Sequence, residues 1–541
     1  MFKAILHWIE INILSLGREM RWSYLPPLMV YMAAGISGLT AIVGTFFIKE
    51  YLDLSAEFLA ALGFWATIPW SLKMPMGHLV DLIWRWKSLL VYLGAGLIAV
   101  SLLIMIGLLT DREAMETMMP AGAWFVISVL LAPIGYVIQD SVADAMTVEA
   151  VPRVDIEGNP IDPDKLKLMH TTMQTLGRVA IIGGTVLVGF INLYVFAGTG
   201  DLPQADKQVL YRNVYLIALV IPIISVAGVL LATFIKRNKR LRLLAQGIPH
   251  EEVERIVLEY AEETDPNWWI LGGSLFFVIF TIGMGFSNYQ YNQEIIFAGS
   301  MSIVCFLIAK LTRELTPRAR NTLVGTAIII FVFRVIPVQG AGMTWWMMDE
   351  LQFDQEFFSL LAIIGSILTL FGMFIFRRFM ADHSIAYVVG ALTIAGTLLS
   401  LPYLGMYYGM HEWTASVTNG VVDAKFIAVV NTALESPLGQ IAMIPMLAWI
   451  AHSAPANLKA TFFAVMASFT NLALAGSQLG TKYLNQIYIV TREVRDPVSK
   501  EIQVAADYSQ LGELILVSII LGLVMPFAAI LIARMCRMKW A

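Results

Sequence analysis

Cysteine is nearly missing. The 541 residues hold two, Cys305 within an apolar run and Cys536 in a basic tail, so neither a disulfide framework nor a thiolate metal site can be built. Histidine is scarce too: the seven are scattered, with no pair three or four residues apart, which removes the helical two-histidine zinc site. No phosphate-binding glycine loop occurs, and no serine has the context of a nucleophile. The string LGRVAIIGGTVLVG at 176–189 lies inside an apolar run and reads as helix-packing surface. An enzyme is therefore not expected, and neither a cofactor nor a metal. Charge is the other shortage, at 14% against 58% hydrophobic residues. With a mean hydropathy of +0.71, this is the composition of a polytopic membrane protein whose first partner is the lipid bilayer. A net charge of -4 gives no basis for nucleic-acid binding.

What the sequence has in quantity is apolar runs. A helix needs about 20 such residues to cross the hydrocarbon layer, and about 14 spans can be delimited. Six lie near 24–48, 56–80, 88–110, 121–147, 166–196 and 212–235. Two more lie near 268–288 and 294–311, and six follow near 322–346, 355–376, 384–408, 424–451, 459–485 and 512–534. The first residues mix Trp8, Ile9 and Ile13 with Lys3, Glu10 and Arg18 and lack a cleavage site, so they predict an interfacial amphipathic helix instead of a signal peptide. The chain divides into that helix (1–23), a six-helix bundle (24–236), a linker (237–266), a two-helix hairpin (267–320) and a second six-helix bundle (321–541). With the N-terminus inside, 24 of the 36 Lys and Arg residues fall in inner loops and 9 in outer loops. That bias predicts cytoplasmic N- and C-termini; the expected location is a bacterial inner (plasma) membrane. Six, two and six spans resemble the layout of a major facilitator fold, all-α, with a hairpin inserted between the halves.

Local patterns add detail. Gly77, Asp81, Arg85 and Lys87 follow the second span, and Gly372, Arg377 and Arg378 stand at the matching place in the second half. The first set reads as an inner gate latch, joined by Asp144, Glu149 and Arg153, or as an ordinary inner loop with snorkelling bases. The segments 152–165 and 488–505 carry Glu-Gly-Asn-Pro and Arg-Asp-Pro turns between short alternating runs and predict hairpin-like loops. Residues 249–263, opened by Pro249, predict a helix in the linker.

Ionised residues inside the spans carry the functional reading, because an unpaired charge there costs at least about 2.5–3.5 kcal/mol. At 1.5 Å per residue, Lys73 and Asp140 lie at matching depth, roughly 10 Å below the inner surface, with Arg178 roughly 18 Å deep. A Lys73, Asp140 and Arg178 cluster is expected, serving either to lock three helices together or to couple protons or solute. In the second half Arg334 and Glu435 lie near the midplane, each followed by a proline, Pro337 or Pro437. They form either a structural ion pair or a binding site in which Arg334 holds an anionic group and Glu435 takes the proton. Asn431, Gln440, Asn471 and Gln478 are the hydrogen-bonding residues expected nearby. Trp345 and Trp346 read either as a stacking surface for a flat ligand or as part of an interfacial aromatic belt.

Three stretches resemble the signature regions of the folate-biopterin transporter family. In IPWSLKMPMGHLVD, Pro69, Trp70, Lys73, Gly77 and Asp81 match; in DSVADAMTVE, Asp140, Asp144 and Glu149 match. In APANLKATFFAVMASFTN, Pro455, Thr461, Phe462, Ser468 and Asn471 fit, while Lys459 stands where the family has an acid. Gln139, Asp140, Asp144 and Ala145, with Leu176, Gly177 and Arg178, also resemble motifs of muropeptide permeases and acetyl-CoA transporters. These resemblances imply a secondary, proton-coupled symporter of a medium-sized anionic organic solute, folate-like or pterin-like, working by alternating access. The alternatives are a muropeptide or acyl-CoA type permease, and a non-transporting assembly factor or receptor of the same fold. Oligomeric state is left open.

Overall fold

The computed structural model describes residues 20–52, 54–71, 73–152, 161–199, 203–257, 266, 268–285, 287, 289–314, 316–376, 379, 383–439, 441, 459–495 and 502–540. The predicted interfacial helix thus lies almost wholly outside the described residues, as do Arg153, Gln440 and most of the 152–165 loop. The first half comprises α1 (Leu25–Ile36) continued by α2 (Ala41–Tyr51), α3 (Ala56–Ser71), α4 (Lys73–Leu82), α5 (Lys87–Thr110), α6 (Arg112–Met118), α7 (Ala121–Ala150), α8 (Pro163–Phe196), α9 (Gln204–Ala218) and α10 (Val220–Ala245). The linker holds α11 (His250–Val257), and the insert is α12 (Trp268–Gly285) with α13 (Asn292–Leu311). The second half comprises α14 (Pro317–Arg334), α15 (Ala341–Asp349), α16 (Gln355–Ile375), α17 (Ile385–Tyr407), α18 (Met410–Val417), α19 (Ala424–Glu435), α20 (Lys459–Ile487) and α21 (Leu511–Met535).

Ten of the expected spans are described helices long and apolar enough to cross a membrane. The other four are α3 with α4, α14 with α15, α19 and α20, which carry breaks, polar residues or neighbours outside the described set. The apolar character runs around whole helices because lipid, not water, faces their outer sides. Leu89, Leu93 and Leu103 on α5 and Leu516, Ile520 and Leu531 on α21 are exposed on the surface where acyl chains would lie. The core of the first half gathers Leu39, Phe47, Ile98, Leu108, Phe196 and Tyr211.

Small residues set the closest crossings. A Cβ at Gly35 would lie 2.1 Å from the Ile181 carbonyl oxygen, so α1 and α8 touch backbone to backbone there. Gly372 plays the same part in the second half, where a Cβ would lie 2.2 Å from the Pro437 carbonyl oxygen. Gly77, read as its counterpart, has open space around it. The halves meet along two seams, α3 against α20 and α8 against α16. The insert packs into the first seam: Gln293 Nε2 donates to the Ala61 carbonyl at 3.2 Å, and Lys482 Nζ lies 3.2 Å from Glu294 Oε1.

The 488–505 loop forms the expected hairpin, β1 (Val494–Arg495) pairing antiparallel with β2 (Ile502–Val504). The linker helix is present as α11, tied to α10 by Glu254, whose Oε1 lies 2.7 Å from Arg240 Nε. The basic run 236–242 continues α10 as helix to Ala245, beyond the span end expected at 235, because the exposed Lys and Arg chains are good helix formers.

Candidate functional site

Below, inner and outer faces are named from the loop-charge count. In the first half Lys73, the first residue of α4, points into the α7 ladder. Its Nζ lies 2.6 Å from Asp140 Oδ2 and 2.8 Å from Asp144 Oδ2. Acids four apart on a helix share one face, so one ammonium bridges both. Asp144, placed by depth with the inner latch, thus has its ion pair with Lys73, whose long stem lets the ammonium sit between the two carboxylates. Tyr31 on α1, which no charge pattern marks, donates its hydroxyl to Asp144 Oδ1 at 2.5 Å. Arg178 on α8 adds its field at Asp140 but makes no ion pair with a described residue. Asp144 is the open member of the group, its side chain 41% exposed against 15% for Asp140. Gln139, adjoining it in the motif, is a packing residue: it donates to the Val91 carbonyl at 3.1 Å and accepts from Ser225 Oγ at 3.0 Å.

Nearer the inner face, Glu149 is held between Lys87 Nζ at 3.2 Å and Lys236 Nζ at 2.6 Å. The side chains of Asp81 and Arg85 lie outside the described ones. Burial works against the Glu149 charge, but the two lysines outweigh it and hold the carboxyl below its ordinary 4.5. A folded-state value lowered in this way contributes stability that is complete above about pH 4.5 and fades as the pH falls through the folded value. Glu149→Gln should lower stability at neutral pH by about 1–3 kcal/mol, with the difference from the parent protein shrinking in acid, as read by thermal unfolding across pH 3–7.

In the second half α14 ends at Arg334, and residues 335–340 are unwound before α15 begins. Backbone polar groups freed inside a membrane need partners, and a polar stripe on α20 provides them. Ser477 Oγ donates to the Ile336 carbonyl at 2.7 Å, Thr481 Oγ1 accepts from Val338 N–H at 3.0 Å, and Asn485 Nδ2 donates to the Gln339 carbonyl at 3.2 Å. Gly340, with φ of 76°, turns the chain back into helix. Arg334 itself is half-buried and has no ion-pair or hydrogen-bond partner among the described residues.

Glu435 ends α19 and is exposed. Its contact is Asn431, whose Nδ2 donates to Oε2 at 3.5 Å. The structural Arg334–Glu435 pair is thus not formed; each side chain is left at the end of a separate interrupted helix. Asn471 donates to the Trp70 carbonyl at 3.1 Å across the halves, and Gln478 packs over Gly63, so both serve the α3–α20 seam. Trp345 and Trp346 are buried at 2% and 5% exposure, which removes both readings given for them: they face neither a ligand nor the lipid interface.

The outer face holds a set of contacts the sequence did not reveal. Lys49, near the end of α2, pairs with Asp349 at the end of α15, and Asp349 also accepts from the Tyr508 hydroxyl. Arg492 reaches from the second half to the carbonyls of Ile48, Lys49 and Leu52, capping the C-terminus of a helix in the first half. Gln486 donates to Glu57 at 2.6 Å, and Gly198 N–H to Glu356 at 2.9 Å. The two halves are clasped together at this end.

The profile of the BT1 family matches residues 34–539. The chain belongs to the BT1 family. A folate-biopterin transporter of Synechocystis sp. is 21% identical over 462 residues, spanning 85% of this chain and 74% of that one. A probable folate-biopterin transporter 6 of Arabidopsis thaliana is 23% identical over 157 residues, 28% of this chain and 29% of its own. Among solved structures, a POT family transporter in complex with a thioalcohol-conjugated peptide superposes with a TM-score of 0.55 at 11% identity, covering 95% of both chains. A peptide transporter POT in complex with sulfate gives 0.54 at 16% identity, covering 96% of this chain and 95% of that one. These likenesses show the major facilitator fold. This BT1 family member is a multi-pass membrane transporter of a small solute, not an enzyme.

Proposed function

We propose that this BT1 protein is a proton-coupled secondary carrier of a medium-sized anionic organic solute, of the folate or pterin class, with both termini cytoplasmic. The observation that carries this reading is Arg334: a half-buried guanidinium at the end of α14, beside an unwound segment, with no partner among the described residues. Intramembrane cations without a protein partner mark ligand paths, and interrupted helices near the midplane are where carriers bind cargo. Arg334 would grip a carboxylate through its planar fork of donors. Glu435, exposed and without an ion-pair partner among the described residues, and the Lys73, Asp140 and Asp144 group are the proton-exchanging sites in this scheme. Movement that draws Lys73 away leaves two carboxylates one turn apart, an arrangement that takes up a proton.

The outer clasp supports a reading of alternating access, in which it opens for solute to enter from outside. Asp349→Asn combined with Arg492→Gln should loosen it. Spin labels at Thr117 on α6 and Ser416 on α18 should then report a longer distance population than in the parent protein. An unchanged distribution would remove the clasp from the gating scheme.

A ligand screen tests the cargo class. A ligand at a hundredfold its dissociation constant adds about 2.7 kcal/mol to stability, so thermal shift with folates, pterins, muropeptides and acyl-CoA distinguishes them. A shift with folates or pterins supports the proposal; one confined to muropeptides or acyl-CoA reassigns the cargo.

A further inference from the structure

The insert carries an apolar slot, remote from the charged spans. Between α12 and α13, at the end nearer the linker, lies a cavity of about 530 Å³ lined by Trp268, Trp269, Gly272, Gly273, Phe276 and Phe306 among others. Its lining is apolar, and Trp268, Trp269, Phe276 and Phe306 are 75%, 61%, 60% and 52% exposed, so the slot opens sideways into the surrounding lipid. Gly272 and Gly273 form part of its wall, and nothing in the structure comes within 4 Å of where their Cβ atoms would be. At the mouth, Lys310 Nζ stands 2.8 Å from the centroid of the Trp269 ring. Arg313, exposed, follows in the next turn, and Arg318 and Arg320 are exposed just beyond.

We propose that this slot binds an anionic phospholipid, one acyl chain lying along Gly272 and Gly273 and the phosphate held by Lys310 and Arg313. Both halves of the molecule find their complement. Lys310 closes a membrane span, at the depth where headgroups sit, and a basic cluster at that depth attracts anionic lipid. The tryptophans at the mouth suit the boundary between acyl chains and water. A transmembrane helix of a protein partner would fit the glycines but would leave the basic mouth without a counter-charge.

Native mass spectrometry of the full-length protein, exchanged into detergent with phosphatidylglycerol or phosphatidylethanolamine, tests the proposal. The parent protein should retain phosphatidylglycerol preferentially. Lys310→Gln and Arg313→Gln should each weaken that retention about fivefold, with a smaller loss for phosphatidylethanolamine, whose own ammonium already offsets its phosphate. Gly272→Leu with Gly273→Leu, which fills the slot, should reduce both lipids. Thermal unfolding of each variant confirms that the fold is intact, and the two glutamine variants alter only exposed or mouth positions. Equal retention of the two lipids, a preference that survives both glutamine changes, or a second protein chain displaced by the leucine changes would overturn it.

Discussion

Replacing Arg334 with alanine should reduce solute uptake by about a hundredfold or more. Hydrogen bonds to charged groups contribute about 1.5–3 kcal/mol each, a bidentate carboxylate contact uses two of them, and each 1.4 kcal/mol is tenfold. Folding should be little affected, because Arg334 ends α14 and has no described partner to leave behind. Arg334→Lys separates charge from geometry: it keeps the cation but loses the planar fork, so binding should recover only in part. Proteoliposome uptake, read beside the thermal-shift response to the same solute, measures both effects. Full activity in Arg334→Ala would remove the proposed binding centre.

Lys73→Ala should have the largest effect on stability. It strips the common partner from Asp140 and Asp144 and leaves two carboxylates on one face of α7, with Tyr31 bonded to one of them. Breaking a buried pair by removing one member costs about 3–5 kcal/mol. Lys73→Ala combined with Asp140→Asn removes one charge of each sign, so most of that loss should be regained. The double variant then separates two roles. A cluster that only locks α1, α4 and α7 together permits normal accumulation in the refolded double variant; one that exchanges protons does not.

The spans were legible because lipid imposes a length and a composition that no neighbouring residue can override. The pairing of Lys73 with Asp140 was legible for a related reason, since matching depth and opposite charge leave few other partners. The break after Arg334 was announced by Pro337, and its supports could have been read from Ser477, Thr481 and Asn485, polar residues at every fourth position of an apolar helix. Tyr31 could not be read, because a tyrosine in an apolar run gives no sign that its hydroxyl will meet a carboxylate 113 residues away. The outer clasp was hidden for the same reason. Lys49, Asp349 and Arg492 each look like a charge at a span end, and only the closure of the bundle brings residues 300 apart into contact. The contact of Lys73 with Asp144 could not be read either, because depth counted in residues ignores the reach of the lysine stem.

The most direct test follows protons and solute together. Purified protein in proteoliposomes is given a folate-class or pterin-class anion on one side with no imposed pH gradient, and the pH on the two sides is recorded. The account predicts that solute movement carries protons with it, that an imposed gradient drives accumulation, and that a protonophore abolishes accumulation. Solute flux indifferent to the proton gradient would contradict it.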